Sequence, residues 1–310
     1  MASTQKLRDL DQRNPEIDGE DGERLLDYEA LYAGGKKFDK RLPRLMPRRP
    51  AEEAATYNFR LQSAHYIPYS GSLVDYFVTW LFTGRLEVRV EESDDTQGSP
   101  PDWFAEFAKN ADRQGGHLTS VLRTVMTAAL VKRRAWLQID LPLAETEPYN
   151  RAEHSEMGLD QPYVCALEAD EVLDWEYADD GELEFVTRKH RDERRRGPFG
   201  NRDTITDTWT TYTRDGWFKY QITYDRQKPP NADDDIPLVD QGQSPTPGKV
   251  PFVSICLKEA LWAMNRIYSP GLEQMRTRNA LSWSLNRTCY AMRIFKLKGT
   301  GLAGPSDDGS

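Results

Sequence analysis

The chain has 310 residues, 38% hydrophobic and 11% aromatic, enough for one large domain or two small ones with a packed core. Its mean hydropathy of -0.74 comes from polar loops and ends, and a formal charge of -9 excludes a protein whose whole surface grips nucleic acid. The longest apolar stretch, Leu73 to Phe82, contains Asp75 and is too short for a bilayer. The first dozen residues hold no apolar signal segment, and Cys165, Cys256 and Cys289 read as reduced core residues of a cytosolic protein.

Residues 1–50 segregate charge: mostly acids from Asp9 to Glu29, then seven bases against one acid from Lys36 to Arg49. One short helix is expected around Leu25, Leu26, Leu31 and Tyr32. The rest of 1–50 reads as a mobile charged arm, with Pro47 and Pro50 stopping any helix. Ala54, Tyr57, Leu61 and Ala64 then recur at helical spacing up to Pro68. Leu73, Val74, Phe77, Val78 and Leu81 form the apolar face of a second helix that ends at Gly84. LEVRVE (86–91) alternates as a strand. Trp103, Phe104 and Phe107 mark a short helix, and Leu118, Leu122, Val125 and Ala129 a longer one.

From Ala135 the period changes. AWLQIDLP (135–142) reads as a buried strand, and 143–161 as a polar loop. Residues 163–167, 172–177, 183–190, 204–213 and 217–225 read as an antiparallel meander. The basic run from His190 to Gly197 is either a phosphate or acidic-partner contact or a solvated hairpin tip. Residues 227–249 read as a linker without its own core. A strand at 250–257 leads to a helix at 258–268, a break at Pro270-Gly271, a helix from Leu272 to Met292, a strand at 293–299 and a disordered tail at 300–310. The expected fold class is α+β: N-terminal helices, an antiparallel β meander and a long helix. The expected division is a mobile arm at 1–50, one domain at 51–299 and the tail.

On the wheel of the last helix, Leu272, Trp283 and Tyr290 align on one side. Leu281, Leu285 and Met292 align on nearly the opposite side, with Arg278 beside them. Two opposed stripes require two packing partners, within a large core or on a neighbouring chain, and the wheel leaves both open.

Motifs that carry chemistry are missing. None of the four histidines has a second metal ligand at workable spacing, and no zinc, nucleophile-elbow or P-loop pattern occurs. GTGLAG (299–304) has no helix behind it. The acids Glu168, Asp170, Glu171, Asp174, Asp179 and Asp180 are of the type that holds a divalent ion, yet Asp179-Asp180-Gly181 is also ordinary turn composition. The chain therefore reads as a structural protein rather than an enzyme, with no catalytic, cofactor-binding or metal residue assigned. The alternatives are a binding module, or a metal-dependent nuclease using the acids between Asp170 and Asp180.

Five blocks in order along the chain resemble tailed-phage portal proteins, within a phage portal-like group of domains of unknown function. They are YNFRLQSAHYIPYSGSLVDYFVTWLFTG (57–84), LVKRRAWLQIDLP (130–142), QPYVCALEADEVLDWEYADDGEL (161–183), KVPFV (249–253) and LEQMRTRNALSWSLNRTCYAMRIFKLKG (272–299). The resemblance implies a wing and first-stem fold and a homo-oligomeric, dodecameric ring at one capsid vertex. Through such a ring a terminase drives double-stranded DNA without sequence-specific binding, and capsid protein and head-to-tail adaptors dock onto it. It further implies no enzymatic activity, no membrane, and a place in the virion and, during assembly, in the host cytoplasm. Leu281, Leu285, Met292 and Arg278 would then lie at a subunit interface. Portals continue into a clip, a second stem helix and a crown, so a truncated portal or fragment is expected.

Overall fold

Acids and bases that are separated along the first fifty residues meet in space. The computed structural model describes residues 4–84, 90–91, 97–98, 102–141, 161–193, 204–244 and 248–289. Helix α2 (Gly19–Ala33) turns into α3 (Gly35–Leu45) through Gly34 and Gly35, whose φ angles of 62° and 53° favour glycine. The buried Asp27 carboxylate of α2 accepts from Arg41 Nε at 2.8 Å and Arg44 Nε at 2.9 Å on α3. Glu23 and Glu20 take further nitrogens of the same two arginines. Tyr28, Leu31, Leu45 and Met46 are buried in the main core. Residues 1–50 are therefore not the mobile charged arm expected from composition. Lys37, Arg41 and Arg44 of the basic block pair with Glu29, Glu23, Asp27 and Glu20 of the acidic one, and apolar residues of both helices are core. Ahead of this hairpin lie β1 (Thr4–Lys6), the single turn α1 (Leu7–Leu10) and a 3-10 turn (Pro15–Ile17).

The next two helices keep most of their surface in solvent. Helix α4 (Ala54–Gln62) buries no residue, and α5 (Tyr69–Leu81) buries only Ser70, Gly71, Val74 and Val78. Leu73, Phe77 and Leu81, expected on the core face, are exposed. The cause is a close crossing: a β-carbon at Gly71 would lie 2.4 Å from the Tyr32 carbonyl oxygen. Helix α5 thus meets α2 through its smallest residues, and its core contact narrows to one line. Beyond it, β2 (Val90–Glu91) and β3 (Gln97–Gly98) pair, followed by α6 (Asp102–Lys109) and α7 (Leu118–Lys132). The rest of the expected 86–91 strand lies outside the described residues.

Two antiparallel sheets form the body. One has the order β11-β4-β5, with β4 (Arg134–Asp140) between β5 (Tyr163–Glu168) and β11 (Phe252–Cys256). Alternation divides β4 cleanly. Ala135 packs with Val125 and Ala129 of α7, whereas Trp136 points to the other sheet and meets Trp175 edge-on at 5.3 Å. That second sheet has the order β1-β10-β9-β8-β7-β6. Its strands are β6 (Val172–Tyr177), β7 (Leu183–Asp192), β8 (Thr204–Thr213), β9 (Gly216–Asp225) and β10 (Asp235–Gln243), with β1 at the edge. The molecule is thus mixed α and β with antiparallel sheets. Two expectations change: residues 163–167 leave the meander to pair with β4, and the 227–249 linker contains β10.

The last helix differs as well. The segment expected at 258–268 is a 3-10 turn (Glu259–Leu261) followed by α8 (Ala263–Cys289), which runs unbroken through Pro270. A proline inside a helix costs about 3 kcal/mol, so packing must offset it. A β-carbon at Gly271 would lie 3.0 Å from Ser70 Oγ, where α8 crosses α5, and Leu272 and Met275 are buried just beyond. Met292, the 293–299 strand and the 300–310 tail lie outside the described residues.

Candidate functional site

Helix α7 gives way to β4 at Lys132-Arg133-Arg134, a basic run that enters the core. Arg133 has φ of 70°, a strained value for a residue with a β-carbon, and this sharp corner sends its two neighbours into separate sockets. Lys132 is 3% exposed. Its Nζ donates to Glu29 of α2 at 2.8 Å, Glu168 of β5 at 2.7 Å and Asp170 beyond β5 at 2.7 Å. Burial alone would lower its pKa, but Asp170, Glu168 and Glu29 together raise it well above an ordinary lysine. Burial likewise opposes ionisation of Glu29. The Lys132 and Lys37 ammonium groups outweigh it and hold that carboxyl below the usual range. A cavity of about 400 Å³ opens alongside, walled by Tyr32, Thr124 and Ala128.

Arg134 takes the opposite direction. Its guanidinium lies 4.7 Å from the centre of the Trp175 ring and donates to Glu16 at 2.9 Å and to Ser254 Oγ at 2.8 Å. Further along the same strand, Gln138 accepts from Arg188 at 2.7 Å and donates to the Tyr212 hydroxyl at 2.9 Å. Burial raises the Asp140 carboxyl above the ordinary carboxylate range. Burial and that carboxylate push Tyr163 up to about 12.

These clusters bind charge rather than release it. Glu29, Glu168 and Asp170 bring their oxygens within 4.8 Å of one another, a set that suits a cation, and the Lys132 ammonium stands among them. A protonated lysine with all three hydrogens engaged is neither base nor nucleophile. The cluster therefore acts as a staple across α2, α7 and the β5–β6 connection. Asp180, another acid of the nuclease alternative, accepts from Arg214 at 2.8 Å through both oxygens. Cys165 is half-buried and its thiol is pushed up by burial. Cys256 is exposed, not a core residue, and the side chain of Cys289 lies outside the described residues.

The residues read as an interface stripe sit on the solvent side of α8. Leu281 is 58% exposed, Leu285 is 50% exposed, and Arg278 is exposed beside them. Of the opposite stripe, Leu272 is buried, and Trp283 meets Phe59 of α4 edge-on at 5.4 Å. Sequence reasoning missed the larger surface on α5, where Tyr76 is 65% and Trp80 71% exposed. Its signal was the small-residue step Ser70-Gly71-Ser72 inside an apolar helix, which marks the side of close contact and so leaves the large residues outside. The Lys132 staple was also missed. Its basic run and its acids were each visible, but nothing in their spacing joined them.

No family model matches the chain, and no curated protein matches its sequence. Among the described residues, no helix is long and apolar enough to cross a membrane.

Proposed function

We propose that the chain is a structural subunit of a phage portal ring, with a wing and first-stem arrangement, working at a capsid vertex. The order of sequence blocks suggests the family, and one observation carries the assembly part of the reading. Helix α5 has only the Gly71–Val74–Val78 line in the core, leaving Tyr69, Leu73, Tyr76, Phe77, Trp80 and Leu81 exposed. Contiguous apolar patches beyond a few hundred Å² mark interaction surfaces. Leu281 and Leu285 on α8 add a second exposed apolar seam. Two different patches on one chain suit head-to-tail contacts, which form a ring when the rotation between copies closes. Capsid protein, terminase, adaptor and passing double-stranded DNA are the partners this reading names.

Sedimentation velocity with negative-stain microscopy of the purified chain tests it, with ring-shaped particles the expected result. Leu281→Ser with Leu285→Ser should shift the chain to monomer without moving the melting midpoint. A wild-type chain that stays monomeric at tens of micromolar sinks the reading. So does a seam variant that unfolds, because the seam would then be internal.

A further inference from the structure

The outer face of the six-stranded sheet is covered by the chain's own first residues. Leu7 and Leu10 pack on Leu173, Trp209, Tyr220 and Ile236, a hydrophobic cluster separate from the main core. Strand β1 closes the sheet edge with three pairs: Thr4 with Pro237, Gln5 with Ile236 and Lys6 with Asp235. The Leu7 and Arg8 amides donate to the carbonyls of Asp234 and Ala232. Asp11 accepts from Lys189 Nζ at 2.6 Å and from Trp209 Nε1 at 2.8 Å. The chemistry is that of a bound peptide: strand addition at an edge, two leucine anchors and one carboxylate in a basic socket.

Nothing in this seat depends on the covalent link to α2. Among the described residues, the hydrogen bonds and ion pairs that join Thr4–Asp11 to the rest of the chain fall on residues 189–237. The link itself is the short exposed pair Gln12-Arg13, after which Asn14 is tied to Leu173, Asp174 and Trp175. Short connections between a small element and its seat favour exchange between copies, because the same contacts form in either arrangement.

We propose that Thr4–Asp11 is an exchangeable strap, seated on the β10 edge and the Trp209–Tyr220 face of a second copy of this chain. The inference rests on the self-assembly reading, which supplies the second copy at a high effective concentration. The test co-expresses two full-length chains with the native cysteines changed to serine, one carrying Lys6→Cys and the other Asp235→Cys. These positions face each other across β1 and β10, at a separation a disulfide spans. A covalent heterodimer after mild oxidation is the expected result, since only an exchanged strap brings the two cysteines together. A chain carrying both substitutions serves as control. An intrachain bond there, with no heterodimer in the mixture, overturns the exchange. No bond in either preparation overturns the seat itself. Sedimentation of the unoxidised chains separates this from the ring: assembly without cross-bonding defeats the strap alone, and cross-bonded pairs without larger species defeat the ring alone.

Discussion

Lys132 ties three acids from distant parts of the chain, and its removal should be felt more than that of any surface lysine. Deleting one partner of a fully buried ion pair typically costs about 3–5 kcal/mol, and the cost here is smaller because Glu168 and Asp170 are half exposed and water screens them. Lys132→Met should therefore lower the melting midpoint markedly at pH 7. The pH dependence separates charge from packing. In the wild type, the raised Lys132 pKa gives stability that is complete below its ordinary value of 10.5 and lost as pH rises beyond it. The lowered Glu29 pKa gives stability that is present above 4.5 and lost as pH falls below it. In Lys132→Met the three carboxylates repel, so acid relieves them, and the deficit against wild type should shrink between pH 7 and pH 4.5. A deficit that is constant with pH would mean that Lys132 contributes only its packing. Asp27 makes the same argument within the α2–α3 hairpin. Asp27→Ala leaves Arg41 and Arg44 without their buried acceptor, and amide hydrogen exchange in α3 should accelerate before that of the sheets.

At the scale of elements, two crossings decide where helices lie. Gly71→Ala places a β-carbon against the Tyr32 carbonyl of α2. Backbone cannot move aside as a flexible side chain can, so this substitution should cost about 1–3 kcal/mol, read as a lower midpoint in urea. Met275→Ala, on the buried side of α8, should cost about 2–5 kcal/mol, in contrast to a near-silent Leu281→Ser and Leu285→Ser pair. Which elements were legible in the sequence follows from where their signal resided. Strands β6 to β9 alternate, and their turns carry Asp and Gly, so period alone located them. Strand β10 did not read as one, because a proline interrupts the apolar residues of Asp-Ile-Pro-Leu-Val-Asp and acids flank them on both sides. The structure tolerates Pro237 beside the short edge strand β1. The helix through Pro270 was hidden for the converse reason, since the packing that offsets its proline comes from distant parts of the chain. The α5 core face was misread because all its large residues are apolar, and a wheel cannot say which of them a neighbour will cover.

For the whole molecule, the first fifty residues change character most. Charge segregation counted along the sequence suggested a solvated arm, whereas the partners are one hairpin turn away. Limited proteolysis should accordingly leave α2 and α3 attached to the body. Early cleavage among Lys36, Lys37, Lys40 and Arg41, with the remainder still folded, would contradict this arrangement. That Leu281 and Leu285 lie on a different side of α8 from Leu272 was legible because a wheel separates two stripes.

The sheet order also sets a timetable on the ribosome. Arg134 of β4 finds Ser254 of β11 across 120 residues of chain, and Arg8 finds Asp233 across 225. Translation at about 5–20 residues per second leaves β4 half-paired for roughly 6–24 s, and the N-terminal strap without its seat for roughly 11–45 s. Several nascent chains on one message pass through that interval side by side. The Thr4–Asp11 strap is made long before the edge and face that receive it, and throughout that interval its two leucines have no seat on their own chain.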